Sequence, residues 1–567
     1  MAADVSHTRR VLSFVGLAAL ALMIALPASA EPRLRADIGF AGAVVDGRFA
    51  PARLAITGLP TPMSGTLVAE QQVGNAWKGS ALIRLELDTG PLQDGTVELT
   101  LPIHDTLNPL SLFLYDSAGY LVAGDEIDLR TQRRIAPFPV VCCRSNIPTE
   151  DGAVIVKPED LSEDWWAYDG LSRLWLAAAP SDASLRAISQ WVLAGGSLIL
   201  LTGADFYRLD SPLFRELLPI SNPALQADQQ GRLRLSGSLK PSAFSIVGDD
   251  GLPSAYAWPY GAGYVTAVTF SAASLDTTAL SGLLPQLPEA SLFSLQETTS
   301  TLLQNTPVTR PSHLIAVLLI VGSIASFSVA TRWSRARGKA AIGWVVIGVV
   351  CLSVLSGLMS NRRNQYILSY TINTTLYVQT IHGFALHGLA TLGFEGGERT
   401  FADSLPGFPL TDVPDTLHDV QLDVSASQDE IRFTLEPNEL RTLRTCGADT
   451  WPLDLQTNDA DATILNHGEK LGTRACFVIH AGRLYKTPAV QPGTQTYVLH
   501  EGQDPEAYRG PLEALVRTMD THFSFHARDW LLTIDEREAL VDHGPLTEKV
   551  RYLDVRLIGG DVNDVES

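Results

Sequence analysis

Cysteine is scarce in this chain, with five among 567 residues. That excludes a small disulfide-dense scaffold. Cys142 and Cys143 are adjacent at the end of an apolar run, a setting for buried thiols. Cys351 falls inside a second apolar run. One pairing remains to be weighed, Cys446 with Cys476, which would close a loop of about 30 residues and stabilise by about 3–4 kcal/mol on loop entropy. Basic residues are also in deficit: 42 Lys and Arg face 62 Asp and Glu, for a net charge of -20 and a pI near 5.0. A surface of that sign lacks the basic footprint that phosphate binding needs, so no nucleic-acid partner is expected. Histidine is absent between His104 and His313. A Cys–His or Ser–His mechanism contained within that stretch is thereby excluded, because nothing there can accept the nucleophile's proton.

Charge is missing from two further stretches, Leu314 to Thr331 and Ala340 to Met359, each close to the roughly 20 apolar residues that a bilayer core demands. Between them lie Arg332, Arg335, Arg337 and Lys339. Basic loops stay on the cytoplasmic side, so the two runs predict a transmembrane hairpin with residues 332–339 in the cytoplasm. The N-terminus agrees with that orientation. Arg9 and Arg10 precede an apolar run from Val11 to Leu26, and Pro27 then leads into Ala28-Ser29-Ala30, the pattern of a signal peptide cleaved after residue 30. The expectation is a cytoplasmic (inner) membrane protein, integral through two spans, with its soluble parts on the periplasmic side. The spans carry no Asp, Glu, Lys, Arg or His, which speaks against a proton or ion pathway.

What is present is mostly strand pattern. From Glu31 to Arg134, short alternating runs such as Leu82–Leu87 and Thr96–Leu101 are separated by turn residues, and Leu112–Tyr115 and Tyr120–Val122 flank Asp116-Ser117-Ala118-Gly119. This spacing predicts an immunoglobulin-like β-sandwich over 31–134. From 135 to 300 the period changes. Strands are predicted at Pro139–Cys142, Ala153–Val156 and Leu171–Leu176. A helix follows, capped by Ser181 or Asp182, with Leu185, Ile188, Trp191 and Val192 on one face and Gly195-Gly196 at its end. Ser197–Leu201 is the next strand, which completes a βαβ unit.

The run Ala187 to Leu198, with Trp191, Gly195 and Gly196, resembles the class I glutamine amidotransferase-like fold, and is closest to membrane-anchored bacterial proteins in which that fold follows a β-sandwich. Tyr260 to Val265, with Gly261 and Gly263, resembles the turn before a late strand in that group. The resemblance implies a flavodoxin/amidotransferase-like α/β domain over 135–300. Enzymes of the family use a Cys nucleophile after a strand, with a later His and Glu. Here Ala177-Ala178-Ala179-Pro180-Ser181 follows the strand, without cysteine, and no histidine lies within the domain. The implied domain is therefore degenerate, and Ser181 reads as a helix cap rather than a nucleophile.

Residues 361–567 are again β-patterned, with strands expected near Tyr370–Thr380, Arg432–Leu435, Ala475–Ile479 and Tyr552–Ile558, and a short helix at Pro511–Thr518. A sandwich-like exported region is expected. Most histidines lie here, and His522 and His526 stand at ligand spacing, yet Phe523 and Phe525 alternate with them and no zinc context surrounds them. Asp459, Asp461 and Thr463 open like a calcium loop, but Ile464 and Lys470 stand where its glycine and closing glutamate belong, so an acidic surface turn is the better account. Gly261-Ala262-Gly263 lacks the Lys-Ser/Thr of a phosphate loop and reads as a turn between strands. Trp165-Trp166 fits packing against the sheet better than a sugar platform.

The fold class expected is thus multidomain α/β plus all-β: sandwich, α/β domain, transmembrane hairpin, β-rich C-terminal region. No catalytic residue, metal site or cofactor is assigned. The function expected is non-enzymatic, binding or scaffolding a protein or envelope component. Two alternatives are a hydrolase or carbohydrate-acting enzyme using Asp169, Asp205 and Asp210 at the sheet edge, and an accessory subunit of a transport or secretion complex.

Overall fold

The structure, a computed structural model, describes residues 32–271 and 367–559 apart from short gaps, among them 145–149, 204–205, 379–383, 402–409, 412–420, 506–515 and 518–528. Residues 1–30, where a signal peptide is expected, lie outside the described residues, as do Asp205, Asp210, His522 and His526.

The N-terminal residues form two sheets facing across one core. Arg33–Ile38, Arg48–Thr57 and Gly95–Ile103 make a three-stranded antiparallel sheet. Met63–Asn75, Gly79–Leu92, Leu110–Asp116 and Leu121–Ile127 belong to a seven-stranded sheet. The alternation of the strands explains the core. Leu34, Ile38, Leu54 and Ile56 from the first sheet meet Leu67, Leu110, Leu112 and Leu114 from the second, and all are buried. The turn predicted at Asp116 is in place, with the Asp116 carboxylate accepting from the backbone N–H groups of Ala118 and Tyr120.

That seven-stranded sheet does not end at residue 134. Gln421–Ser425 pairs in parallel with Gly79–Leu92, and Glu430–Leu435 and Gly397–Phe401 extend it further. The N-terminal sandwich therefore borrows three strands from the C-terminal part of the chain.

A second seven-stranded sheet occupies the middle. Val154–Val156, Phe138–Cys142, Leu171–Leu176, Ser197–Leu201 and Gly263–Val268 run parallel, in that spatial order, and Pro253–Tyr260 and Phe244–Val247 close one side in antiparallel. The helix Asp182–Leu193 covers one face, with Leu185, Ile188, Trp191 and Val192 against Leu174, Leu176, Leu198 and Leu200. Phe40, Val45 and Phe49 of the sandwich share that core.

Three expectations are corrected here. The central unit is not an α/β domain with helices alternating along the sheet. Its one long helix has 12 residues, the helix Pro212–Leu217 has six, and Ile220–Ala227 and Leu233–Leu239 form a strand hairpin in place of a crossover helix. The chain as described is mostly β. The expected two-helix transmembrane hairpin is corrected as well, because no helix among the described residues is long and apolar enough to cross a membrane. A 12-residue helix spans about 18 Å, against roughly 30 Å of hydrocarbon. The runs 314–331 and 340–359 and the loop Arg332, Arg335, Arg337 and Lys339 lie outside the described residues. The integral two-span attachment and the inner-membrane localisation rested on those helices and are not retained. Lastly, the C-terminal region is no separate sandwich. It donates strands to the N-terminal sheet and builds an eight-stranded mixed sheet, in which Ile367–Val378 runs parallel to Thr547–Gly559, beside a three-stranded sheet of Leu453–Thr457, Asp461–Asn466 and Gly493–Val498.

Candidate functional site

Open sheets of parallel strands place ligands beyond the carboxyl ends of the strands. In this chain the described residues at that edge are tied to one another by hydrogen bonds. Cys142 ends one central strand and is fully buried. Burial pushes its thiol up to about 12, and the adjacent Cys143 adds to the shift, so no thiolate forms near neutral pH. The backbone N–H of Ala177 donates to the Cys142 carbonyl at 2.9 Å, tying the two neighbouring strand ends together. On the next strands the Thr202 hydroxyl donates to the Val268 carbonyl at 2.6 Å and the Thr269 hydroxyl to the Pro253 carbonyl at 2.9 Å. At Gly203, with φ 43°, an added Cβ would stand 2.1 Å from the Ser271 nitrogen.

Of the three carboxylates considered for catalysis, only Asp169 is described, and it lies at the opposite end of the sheet, before Leu171–Leu176 begins. Its Oδ1 accepts from Arg48 Nη1 at 3.3 Å and its Oδ2 from the Phe49 backbone N–H at 3.3 Å. Asp169 thus joins the central sheet to the sandwich. Ser181 serves as the helix cap: its Oγ accepts from the Ser184 N–H at 3.0 Å. Trp165 is buried in the core, with Trp166 packed partly buried against it and their ring centroids 6.1 Å apart.

The five residues of the fold motif do come together. Gly196 lies against the Trp191 ring, where an added Cβ would fall 2.3 Å from Cδ2. Gly263 faces the Gly196 carbonyl so closely that a Cβ would stand 2.1 Å from it, and Gly261, with φ 66°, faces the Leu193 backbone. Gly195, at φ 121°, and Gly196 complete a Schellman cap, with Gly196 N–H donating to the Trp191 carbonyl at 3.0 Å and Gly195 N–H to Val192 at 2.9 Å. The cluster is a joint between helix end and strand start, where the Tyr264 N–H also donates to the Gly196 carbonyl at 3.1 Å.

One polar constellation escaped the sequence reading. His480 ends the strand Ala475–His480, and its Nδ1 stands 3.0 Å from Asp529 Oδ1. The second oxygen of Asp529 accepts from the Thr457 hydroxyl, which ends a strand of the three-stranded sheet. A carboxylate only accepts, so Nδ1 is the donor in this contact. His480 is 18% exposed and Asp529 31%. Such a pair can orient a general base or a metal-ligating imidazole. Among the described residues no group of three or more His, Cys, Asp or Glu could hold a metal ion. The three residues are 23 and 49 positions apart along the chain, so no spacing rule could have joined them.

Cys476 is a free, buried thiol, which burial pushes up to about 11 while the Thr487 hydroxyl opposes the shift. The possible pairing with Cys446 is not made, and the strand order explains why. Four strands stand between Leu440–Gly447 and Ala475–His480, a separation of roughly 24 Å, whereas a disulfide needs Cα atoms within about 7 Å. Asp461 and Thr463 sit in the strand Asp461–Asn466 rather than in a calcium loop.

The chain matches no protein-family model and no curated protein.

Proposed function

We propose that this chain is a non-enzymatic binding protein, whose β-rich units act as a scaffold for a protein partner. The observation that supports this reading lies at the carboxyl edge of the central sheet, where, among the described residues, Cys142 is fully buried and the hydroxyls of Thr202 and Thr269 are committed to backbone carbonyls. The amidotransferase-like ancestry suggested by Trp191, Gly195 and Gly196 accords with it, as a frame kept for packing after its chemistry is lost. The position of Asp169 weighs against a carboxylate hydrolase, because its oxygens hold Arg48 and Phe49 at the wrong end of the sheet.

The test is turnover by the purified full chain on chromogenic ester, amide and glycoside substrates, beside His480→Ala and Asp529→Asn. The reading expects the same background rate from all three proteins. Turnover by the wild type that either substitution abolishes would overturn it and make His480 a catalytic base. A positive measurement accompanies it: chemical crosslinking in the cells of origin should yield one discrete heteromeric product, and an accessory role in a larger complex would appear as several.

A further inference from the structure

No further inference is drawn: the strongest candidate, the surface patch where Phe244, Val247 and Leu252 stand exposed at the Phe244–Val247 edge of the central seven-stranded sheet, carries none because nothing in the structure shows what covers it.

Discussion

Arg48 and Asp169 are 121 positions apart in sequence, and Arg48 Nη1 lies 3.3 Å from Asp169 Oδ1. The carboxylate also holds the Phe49 N–H, so one side chain fixes the sandwich against the amino end of the central sheet. Its side chain is 12% exposed and that of Arg48 27%, which puts the pair between a surface ion pair and a buried one. Asp169→Asn is expected to lower stability by about 1–2 kcal/mol and Arg48→Ala by about 1 kcal/mol, each read as a lowered urea midpoint. An unchanged midpoint in both would show that the joint is held by the shared apolar core alone.

Gly196→Ala should be among the most damaging small substitutions, since the new Cβ would stand 2.3 Å from the Trp191 ring. Overpacking of this kind costs about 1–3 kcal/mol. Thermal unfolding of Gly196→Ala alone and combined with Trp191→Leu checks the cause. If the clash is responsible, the double variant loses less than the sum of the two single losses.

Ser181→Ala is expected to cost about 1 kcal/mol through the lost helix cap, while Ser181→Asp keeps most of the stability because a carboxylate caps equally well. Equilibrium unfolding separates the two variants. Equal losses from both would contradict the capping role.

The thiols give a pH prediction with a defined sign. Cys142 is pushed from the ordinary 9.0 up to about 12, and Cys476 up to about 11, both by burial first. The folded state therefore holds these protons where the unfolded chain releases them. The stabilisation is complete below pH 9.0 and is lost as pH rises through the window from 9.0 towards 11 and 12, at up to about 1.4 kcal/mol per pH unit for each thiol. Cys142→Ala and Cys476→Ala should each flatten that slope in alkaline denaturation. At pH 8 neither thiol should react with a disulfide reagent until urea is added, and a peptide map of the oxidised protein should contain no Cys446–Cys476 link.

His480 and Asp529 should couple as a hydrogen-bonded pair. The single variants His480→Ala and Asp529→Asn are each expected to cost about 1 kcal/mol, and the double-mutant cycle to return a coupling of about 0.5–1.5 kcal/mol. A coupling of zero would mean that the contact contributes nothing in solution.

The legible part of this protein was local. Leu171–Leu176, Ser197–Leu201 and the helix between them could be placed from apolar period, a serine cap and two glycines, because each signal acts within a few residues. The turn at Asp116 and the hairpin turn at Gly261 were legible for the same reason. The candidate site was not. His480, Asp529 and Thr457 belong to three separate elements, and only the pairing of those elements brings them together. Inference from local pattern also overreached. A single βαβ unit suggested an α/β domain, yet the next connection holds only short helices and a strand hairpin, and apolar runs at 314–331 and 340–359 suggested a membrane anchor that no described helix supplies.

By itself the sequence determined where Leu171–Leu176, Ser197–Leu201 and the helix between them lie, which face of that helix is apolar, and that no imidazole lies within the central sheet. The tertiary structure alone decided which strands are neighbours: that Gln421–Ser425 lies beside Gly79–Leu92, and that four strands separate Cys446 from Cys476. The physical reason is that a strand's alternation specifies which face is buried but not its partner. Backbone hydrogen bonds along a strand edge are alike for every sequence, so the choice falls to non-local packing.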